Sequence, residues 1–328
     1  MSTTTARPTG QEPLMTNLAF PETTGFAAAS AGGVAVVFPG QGSQRPQMAQ
    51  SWQDAPAFTR WAEADEVLGR DVTHLGLSAG ADELREPANC QVALFVHHAV
   101  IHESWRRAGG SAAVTAGHSL GEYNALVAAG VLDFADALRL VDVRATATQA
   151  AAIQRPGGML ACLGGDEDAV RAACREAGAH IANDNAPGQL VVSGTDDALR
   201  RVAEQAAAAR AKAVRLDVGA AYHSPHMEPA VETLGAALDA TVFRDTHVPV
   251  VANADAQLHT AAGDWPALLR TQLTSPVRWR ATVATMAAAG VEEVVELGAA
   301  PVLTGLVKRA APKLRRRNVN TPDHLAAS

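Results

Sequence analysis

The sequence predicts an α/β protein in which a parallel-sheet core is interrupted by a smaller inserted subdomain. Three observations lead to this prediction. An apolar, β-branched run at 34–38 ends in a glycine-rich loop, as strands of parallel sheets often do. A short apolar segment at 111–116 passes through a tight turn into a helix pattern. Between 155 and 220 the order of elements changes to strand–helix–strand–strand–helix–strand.

The first half of the large domain is predicted at 34–154, where strands, loops and helices alternate. The segment 122–129 is a helix pattern that Gly130 ends. Residues 1–33 are rich in Thr, Pro, Gly, Ala and Ser and lack hydrophobic periodicity, so we expect a flexible leader.

The inserted subdomain is predicted at 155–220. Its elements are strand 159–163, helix 166–177 with Asp166 as N-cap, strands 180–183 and 189–193, helix 196–211 and strand 213–218. This order is typical of a ferredoxin-like unit. The large domain resumes at 221–312, with strands at 248–252 and 293–297 and helices at 265–273, 280–289 and 302–309. We expect 313–328 to be a polar surface tail.

The sequence Gly117-His118-Ser119-Leu120-Gly121 lies between the predicted strand and helix. In that position it predicts a nucleophile elbow, in which a sharp turn exposes the serine hydroxyl above an α/β-hydrolase-like sheet. The alternative is a structural turn whose serine only caps the helix.

Composition excludes several classes of protein. The 328 residues have a net charge of −7 and 4% aromatic side chains, which argues against nucleic-acid binding. No run of 18 apolar residues and no signal-peptide profile occurs, so we expect no membrane segment. Cys90, Cys162 and Cys174 lie among apolar residues and predict reduced core thiols in a cytoplasmic protein.

Two motifs together carry a family resemblance. Phe-Pro-Gly-Gln-Gly-Ser-Gln at 38–44 and Gly-His-Ser-Leu-Gly-Glu at 117–122 resemble those of malonyl-CoA:acyl carrier protein transacylases and the acyltransferase domains of polyketide synthases. Further landmarks follow in the expected order: Arg144, residues 183–189, residues 222–225 and Gln272. The resemblance covers about 34–310 and implies a malonyl transferase that acts through an acyl-serine.

A nucleophilic serine needs a general base. His223 follows a predicted strand and a glycine-containing loop, and the resemblance also places the base there. His118 is displaced along the turn, and the resemblance implies that it lines the pocket. We expect His97 and His98, which lie in an apolar run, to be core or boundary residues. His223 and His226 form a His-x-x-His pair without a third ligand at metal-site spacing, so we expect no metal.

From sequence order, Asp255 or Glu296 could orient the base in a triad. The resemblance instead implies a dyad, with the histidine held by a main-chain carbonyl near Gln272. We expect the oxyanion hole to consist of the Leu120 and Gln41 backbone amides. A phosphate-binding loop at 38–44 is excluded, because no Gly-Lys-Ser/Thr ends it.

On spacing alone, Arg144 would be a surface residue of an amphipathic helix. The resemblance implies that it binds the malonyl carboxylate, since a guanidinium grips a carboxylate with two hydrogen bonds. Tyr222 occupies a position where malonyl-selective relatives carry an aromatic side chain. Asn183 and Asn185, with Gln189, would contact the pantetheine or nucleotide of coenzyme A, or simply form a turn.

The resulting prediction is a monomeric transferase for malonyl-CoA and acyl carrier protein that uses no metal or redox cofactor. Fatty-acid and polyketide synthesis both stay open, as does the extender or other acyl unit. Two rivals are an acyl hydrolase of the same fold and an inactive docking protein. A carrier-docking surface is predicted among basic residues: Arg278, Arg280, Lys308, Arg309 and residues 313–317.

Overall fold

The structure, a computed structural model, describes residues 33–325. Apart from Gly33, the predicted leader lies outside the described residues. The strands within this range are β1 Gly33–Phe38, β2 Val114–Gly117, β3 Gly158–Leu163, β4 His180–Ala186, β5 Gln189–Gly194, β6 Lys212–Arg215, β7 Val250–Val251, β8 Leu258–His259, β9 Val291–Leu297 and β10 Arg315–Val319.

The α-helices of the described residues alternate with these strands. They are α1 Thr59–Leu68, α2 Thr73–Leu77, α3 Pro87–Arg107, α4 Gly121–Ala128, α5 Phe134–Gln154, α6 Glu167–Ala177, α7 Asp196–Ala208, α8 Glu228–Asp239, α9 Trp265–Thr274, α10 Trp279–Ala288 and α11 Leu303–Ala310. No helix between residues 33 and 325 is long and apolar enough to cross a membrane.

The large sheet has the strand order β10-β9-β1-β2-β7-β8. Every neighbouring pair is parallel except β7 and β8. Alternate residues of β1 enter two different cores: Val36 belongs to the core that also contains residues of α3, α5 and α8, and Val37 to the core that contains residues of α10 and α11. Because both faces of the sheet are covered, β1 reads as a continuous apolar run. The predicted α/β class is confirmed.

The inserted subdomain is an antiparallel sheet of order β4-β5-β3-β6. This is the strand order of a ferredoxin-like βαββαβ unit, as predicted. The helices α6 and α7 bury a separate core against it, which contains two of the three cysteines. All three thiols are free and buried, as expected from their apolar neighbours.

Main-chain hydrogen bonds join β4 to the segment of the large domain between α9 and α10. The Asp184 N–H donates to the Val277 carbonyl at 2.9 Å, and the Val277 N–H donates to Ala182 at 2.8 Å. Beside this junction, Arg280 of α10 forms ion pairs with Glu167 at 2.6 Å and Asp184 at 2.8 Å. The subdomain is therefore fixed to the large domain next to its second strand.

The prediction of a polar surface tail at 313–328 was wrong for its central part. Arg315–Val319 forms β10, which pairs in parallel with β9 and extends the large sheet by one edge strand. Edge strands tolerate charged side chains, and Arg317 reaches Glu293 of β9 at 3.1 Å. The run of arginines hid the strand because only Val319 of these residues is buried.

Candidate functional site

Three neighbouring parallel strands bring the site together at their carboxyl ends. The loop with Gln41 follows β1, Ser119 follows β2, and Asn253 lies two residues after β7. Open α/β sheets bind their ligands at this edge. His223 reaches the same edge from the segment that leaves the inserted subdomain after β6.

The turn at Ser119 is a nucleophile elbow in geometry. Ser119 has a left-handed backbone with φ of +54°, which is costly for a residue other than glycine. A Cβ at Gly117 would lie 1.9 Å from the Gly121 carbonyl carbon, and one at Gly121 would lie 2.1 Å from the Phe38 oxygen. Both positions therefore require glycine, since helix α4 packs directly against the end of β1.

Ser119 and His223 form a hydrogen-bonded pair, with 2.7 Å between Oγ and Nε2. The His223 Nδ1 lies 2.8 Å from the main-chain oxygen of Gln272, so it carries the proton and donates it there. Burial and then the nearby Arg144 charge lower the pKa of His223 to about 3. The imidazole is therefore neutral at pH 7, and its Nε2 is free to accept the serine proton.

Neither carboxylate considered for a triad approaches His223. Glu296 accepts the backbone N–H groups of Val302, Leu303 and Thr304, each at 2.8 Å, and so caps α11. Asp255 lies 3.0 Å from His259. The arrangement is thus a dyad whose base is held by a main-chain carbonyl.

The other candidate histidines lie elsewhere. His97 and His98 are fully buried in α3. His226 lies at the surface, with Nδ1 3.3 Å from the Arg155 carbonyl oxygen. His118 stacks obliquely against Trp279, and its Nε2 lies 2.8 Å from Oδ1 of Asn185. Within residues 33–325, no three His, Cys, Asp or Glu side chains gather as a metal site.

Arg144 of α5 is buried beneath the nucleophile. Its Nη2 lies 3.1 Å from the Ser119 Oγ and 3.2 Å from Oε1 of Gln272, while Nη1 donates to Gln91. Among the described residues no carboxylate forms an ion pair with Arg144, although the side chain is 1% exposed. An unpaired buried guanidinium is costly and fits an anionic group from a ligand.

Two backbone amides beside Ser119 are available to a ligand. In the described part of the chain, the Leu120 and Gln41 N–H groups donate to no acceptor. Leu120 is the N-cap of helix α4, whose N-terminal end carries partial positive charge. The β1 loop is held against the elbow, since the His118 N–H donates to the Phe38 carbonyl at 2.9 Å.

The remaining predicted site residues surround this centre. Tyr222 precedes the base and is 7% exposed, and its carbonyl accepts a hydrogen bond from the Ser193 hydroxyl. Asn183 is buried with its Oδ1 unpaired, whereas Asn185 is occupied by His118. Gln189 instead pairs with Arg309 on α11 at 2.9 Å.

The predicted docking surface loses Arg280, and Arg316 and Arg317 of β10 are only partly exposed. Arg280 is held by Glu167 and Asp184 where the subdomain meets the large domain, because α10 packs against β4 there. Arg278, Lys308, Arg309, Lys313 and Arg315 are exposed. The candidate surface is therefore reduced to these exposed side chains.

Sequence reasoning missed three buried polar residues of the site: Glu122, Asn253 and Gln91. The carboxylate of Glu122 accepts the Asn253 backbone N–H at 2.8 Å and a hydrogen bond from the Gln272 amide. The side-chain oxygen of Asn253 accepts the Ser119 N–H at 2.7 Å. Asn253 directly follows a predicted strand, so its position at the carboxyl edge of the sheet could have been predicted from the sequence.

Comparison with known proteins gives consistent matches over nearly the whole chain. Residues 35–321 match the family model described as acyl transferase domain. A malonyl CoA-acyl carrier protein transacylase of Escherichia coli K12 is 39% identical over 302 residues, which cover 90% of this chain and 98% of that protein.

Solved structures agree with these sequence matches. The acyl carrier protein S-malonyltransferase of Vibrio cholerae has 37% identity and a TM-score of 0.86, covering 90% of this chain and 99% of its own. A malonyl-transacylase in complex with its type II polyketide-synthase acyl carrier protein has 37% identity and a TM-score of 0.87, covering 90% of this chain and 98% of its own.

Proposed function

Because this chain belongs to the family of acyl transferase domains, we propose that it moves a malonyl group from coenzyme A to the phosphopantetheine thiol of an acyl carrier protein. The observation that carries the proposal is the buried, carboxylate-free guanidinium of Arg144, 3.1 Å from the Ser119 hydroxyl. A malonyl thioester bound at the serine carries a free carboxylate that this cation can pair with.

In the first half-reaction, His223 Nε2 takes the proton of Ser119 Oγ as that oxygen bonds to the thioester carbon. The resulting oxyanion is stabilised by the Leu120 and Gln41 N–H groups. When the oxyanion collapses, the carbon–sulfur bond breaks and His223 returns its proton to the coenzyme A sulfur. Malonyl-serine and free coenzyme A are left.

In the second half-reaction, the carrier's phosphopantetheine thiol attacks the malonyl-serine ester. His223 Nε2 accepts the thiol proton, and the same two amides hold the new oxyanion. The carbon–oxygen bond then breaks, and His223 protonates the Ser119 oxygen. The neutral imidazole at pH 7, with a pKa of about 3, is in the form that both steps need.

Arg144 would select the acyl group by its carboxylate, and Tyr222 by its size. Two hydrogen bonds from one planar guanidinium orient the carboxylate and place the thioester carbon beside Ser119. The Tyr222 ring, buried next to the base, leaves less room for a branch on the α-carbon. Arg144 therefore supports malonyl over acetyl units, and Tyr222 supports malonyl over methylmalonyl units.

The rival functions fit the site less well. A hydrolase for simple acyl chains has no use for a buried, unpaired cation at its nucleophile. An inactive docking protein has no use for a serine–histidine pair at 2.7 Å. The proposed chemistry needs no metal or redox cofactor, because serine, histidine and two amides supply every step.

The setting of the reaction is part of the proposal. We place the protein in the cytoplasm, where its three buried free thiols stay reduced, and expect a monomer. The surroundings of Ser119 do not distinguish a carrier of fatty-acid synthesis from one of polyketide synthesis, so both carriers belong in the assay.

Intact-mass spectrometry after incubation with malonyl-CoA or acetyl-CoA tests this function, with Ser119→Ala as the control. Malonyl transfer predicts a lasting adduct on the wild type, its absence in Ser119→Ala, and its loss when carrier protein is added. Rapid loss to water without carrier would instead show a hydrolase. No adduct at all would favour a docking protein.

A further inference from the structure

The buried carboxylate of Glu122 links the two halves of the catalytic pair. Its Oε1 accepts the Asn253 backbone N–H at 2.8 Å, and its Oε2 accepts a hydrogen bond from the side-chain amide of Gln272. Glu122 is 1% exposed, and both partners are equally buried. Two oxygens of one side chain thus serve two separate segments, the loop after β7 and the last turn of α9.

The first loop holds the nucleophile. The Asn253 side chain accepts the Ser119 N–H at 2.7 Å and donates to the Gly117 carbonyl at 2.6 Å, so it bridges the elbow on both sides of His118. Ser119 needs such support, because a left-handed backbone is costly for a residue other than glycine. The adjacent Leu120 amide keeps its direction only while this turn is held.

The second segment, the last turn of α9, holds the base. The Gln272 main-chain oxygen accepts the His223 Nδ1 proton at 2.8 Å, and its side-chain amide also donates to the Ser119 carbonyl at 2.9 Å. Gln272 Oε1 in turn accepts from Arg144 at 3.2 Å. Displacing this side chain would shift the histidine that receives the serine proton.

We propose that Glu122 and Asn253 are positioning residues that set the alignment of Ser119, the Leu120 amide and His223 for acyl transfer. This inference rests on the proposed function, since it assigns roles within the same site. Neither side chain touches the substrate: Glu122 acts through Asn253 and Gln272, and Asn253 acts through the elbow. A carboxylate is required because it accepts from both donors, whereas a glutamine amide offers only one accepting oxygen.

The test compares Glu122→Gln, Asn253→Ala and Asn253→Asp with wild type, with Glu296→Gln as the matched control. Glu296 is also a buried carboxylate that accepts backbone N–H groups, but it caps α11 and touches neither Ser119 nor His223. We expect kcat for malonyl transfer to fall about 10²-fold in Glu122→Gln and Asn253→Ala, the scale for small misplacements of reacting groups.

The division between the kinetic constants separates positioning from general damage. The KM for malonyl-CoA should change less than about twofold, since Arg144 remains in place. Glu296→Gln should lower the melting temperature but keep kcat. Asn253→Asp, which keeps the acceptor for Ser119 but not the donor for Gly117, should lie between wild type and Asn253→Ala. Unchanged kcat in folded Glu122→Gln and Asn253→Asp would overturn the inference.

A fluorophosphonate probe keeps this result separate from the proposed function. The serine oxygen bonds to phosphorus, fluoride leaves and His223 takes the proton, so labelling reports the pair without any malonyl group. We expect labelling in the variants to slow as kcat does. Wild type that labels but takes no malonyl group would refute the proposed function alone. Labelling of Glu122→Gln and Asn253→Asp at the wild-type rate would refute the positioning roles.

Discussion

Arg144 holds a guanidinium nitrogen 3.1 Å from the hydroxyl oxygen of Ser119, and no carboxylate in the described part of the chain pairs with it. A buried cation beside a nucleophile stays uncompensated until an anionic ligand arrives. We therefore expect this pocket to recognise the charge of the acyl group rather than its length.

Replacing Arg144 with Ala should invert the acyl preference. The malonyl carboxylate would lose its partner in a buried site, which should cost roughly 3–5 kcal/mol in kcat/KM. Acetyl-CoA carries no such charge and should react as well as before or better. Arg144→Lys should recover little, because a point charge cannot form two parallel hydrogen bonds. An equal loss for both substrates in steady-state assays would make Arg144 structural.

Removing the base should stop transfer while leaving the protein folded. His223→Ala takes away the group that accepts the Ser119 proton, and we expect kcat to fall by several orders of magnitude. His226→Ala is the matched control, since that side chain lies at the surface three residues away. Single-turnover acylation by malonyl-CoA measures both variants. A greater loss in His226→Ala would show that His226, and not His223, is the base.

The buried histidines of α3 should make the protein sensitive to acid. Burial lowers the pKa of His98 to about 4, and that of His97 also falls, mainly through burial. The unfolded chain binds these protons near pH 6.5 and the folded chain does not, so stability is lost as pH falls from about 6.5 toward 4.

Urea unfolding between pH 7.5 and 3.5 measures this effect, which should reach roughly 3 kcal/mol for His98 as the pH falls below its folded pKa. His98→Gln cannot bind the proton, so its free energy of unfolding should depend less steeply on pH. The exposed His247→Gln provides the control. The same slope in His98→Gln and wild type would contradict the assignment.

The exposed basic residues predict a salt-dependent contact with the acidic carrier. Raising ionic strength should increase KM for carrier protein more than KM for malonyl-CoA, because screening weakens contacts between surface charges. Lys308→Glu should raise the carrier KM at low salt. Lys212→Glu makes the same charge change on β6, the opposite edge of the small sheet from β4, and should not. Equal effects of Lys308→Glu and Lys212→Glu on the carrier KM would show that this surface does not dock the carrier.

The fold class and the elbow could be predicted from the sequence because both depend on local patterns. An apolar β-branched run predicted β1, and two glycines around Ser119 predicted a turn that only glycine permits. The strand β10 was not predicted, because an edge strand needs few apolar residues and its arginines are typical of a polar tail. The family membership suggested by the motifs is confirmed by the match over 35–321.

The site was harder to read because its members are far apart in the chain. The spacing of Arg144 alone predicted that it lies at the surface. It is buried instead, and Gln91 and Gln272 accept hydrogen bonds from its guanidinium. The pairing of Ser119 with His223 spans 104 positions. The strand and loop before His223 predicted only that it could reach the sheet edge, and the family resemblance was needed to favour it as the base. Glu122 looked like an ordinary residue of the first helical turn, since nothing local shows which loops will pack over it.

The main-chain junction between β4 and Val277 bears on how new substrate preferences could arise. Backbone hydrogen bonds at 2.8 and 2.9 Å do not depend on which side chains the pocket carries. The wall that presents Asn185 to His118 would therefore survive replacement of Tyr222 or Arg144. Redesign of this enzyme for bulkier or uncharged acyl groups can accordingly keep the scaffold constant and vary only the side chains that line the pocket. The number of variants to be tested is then small.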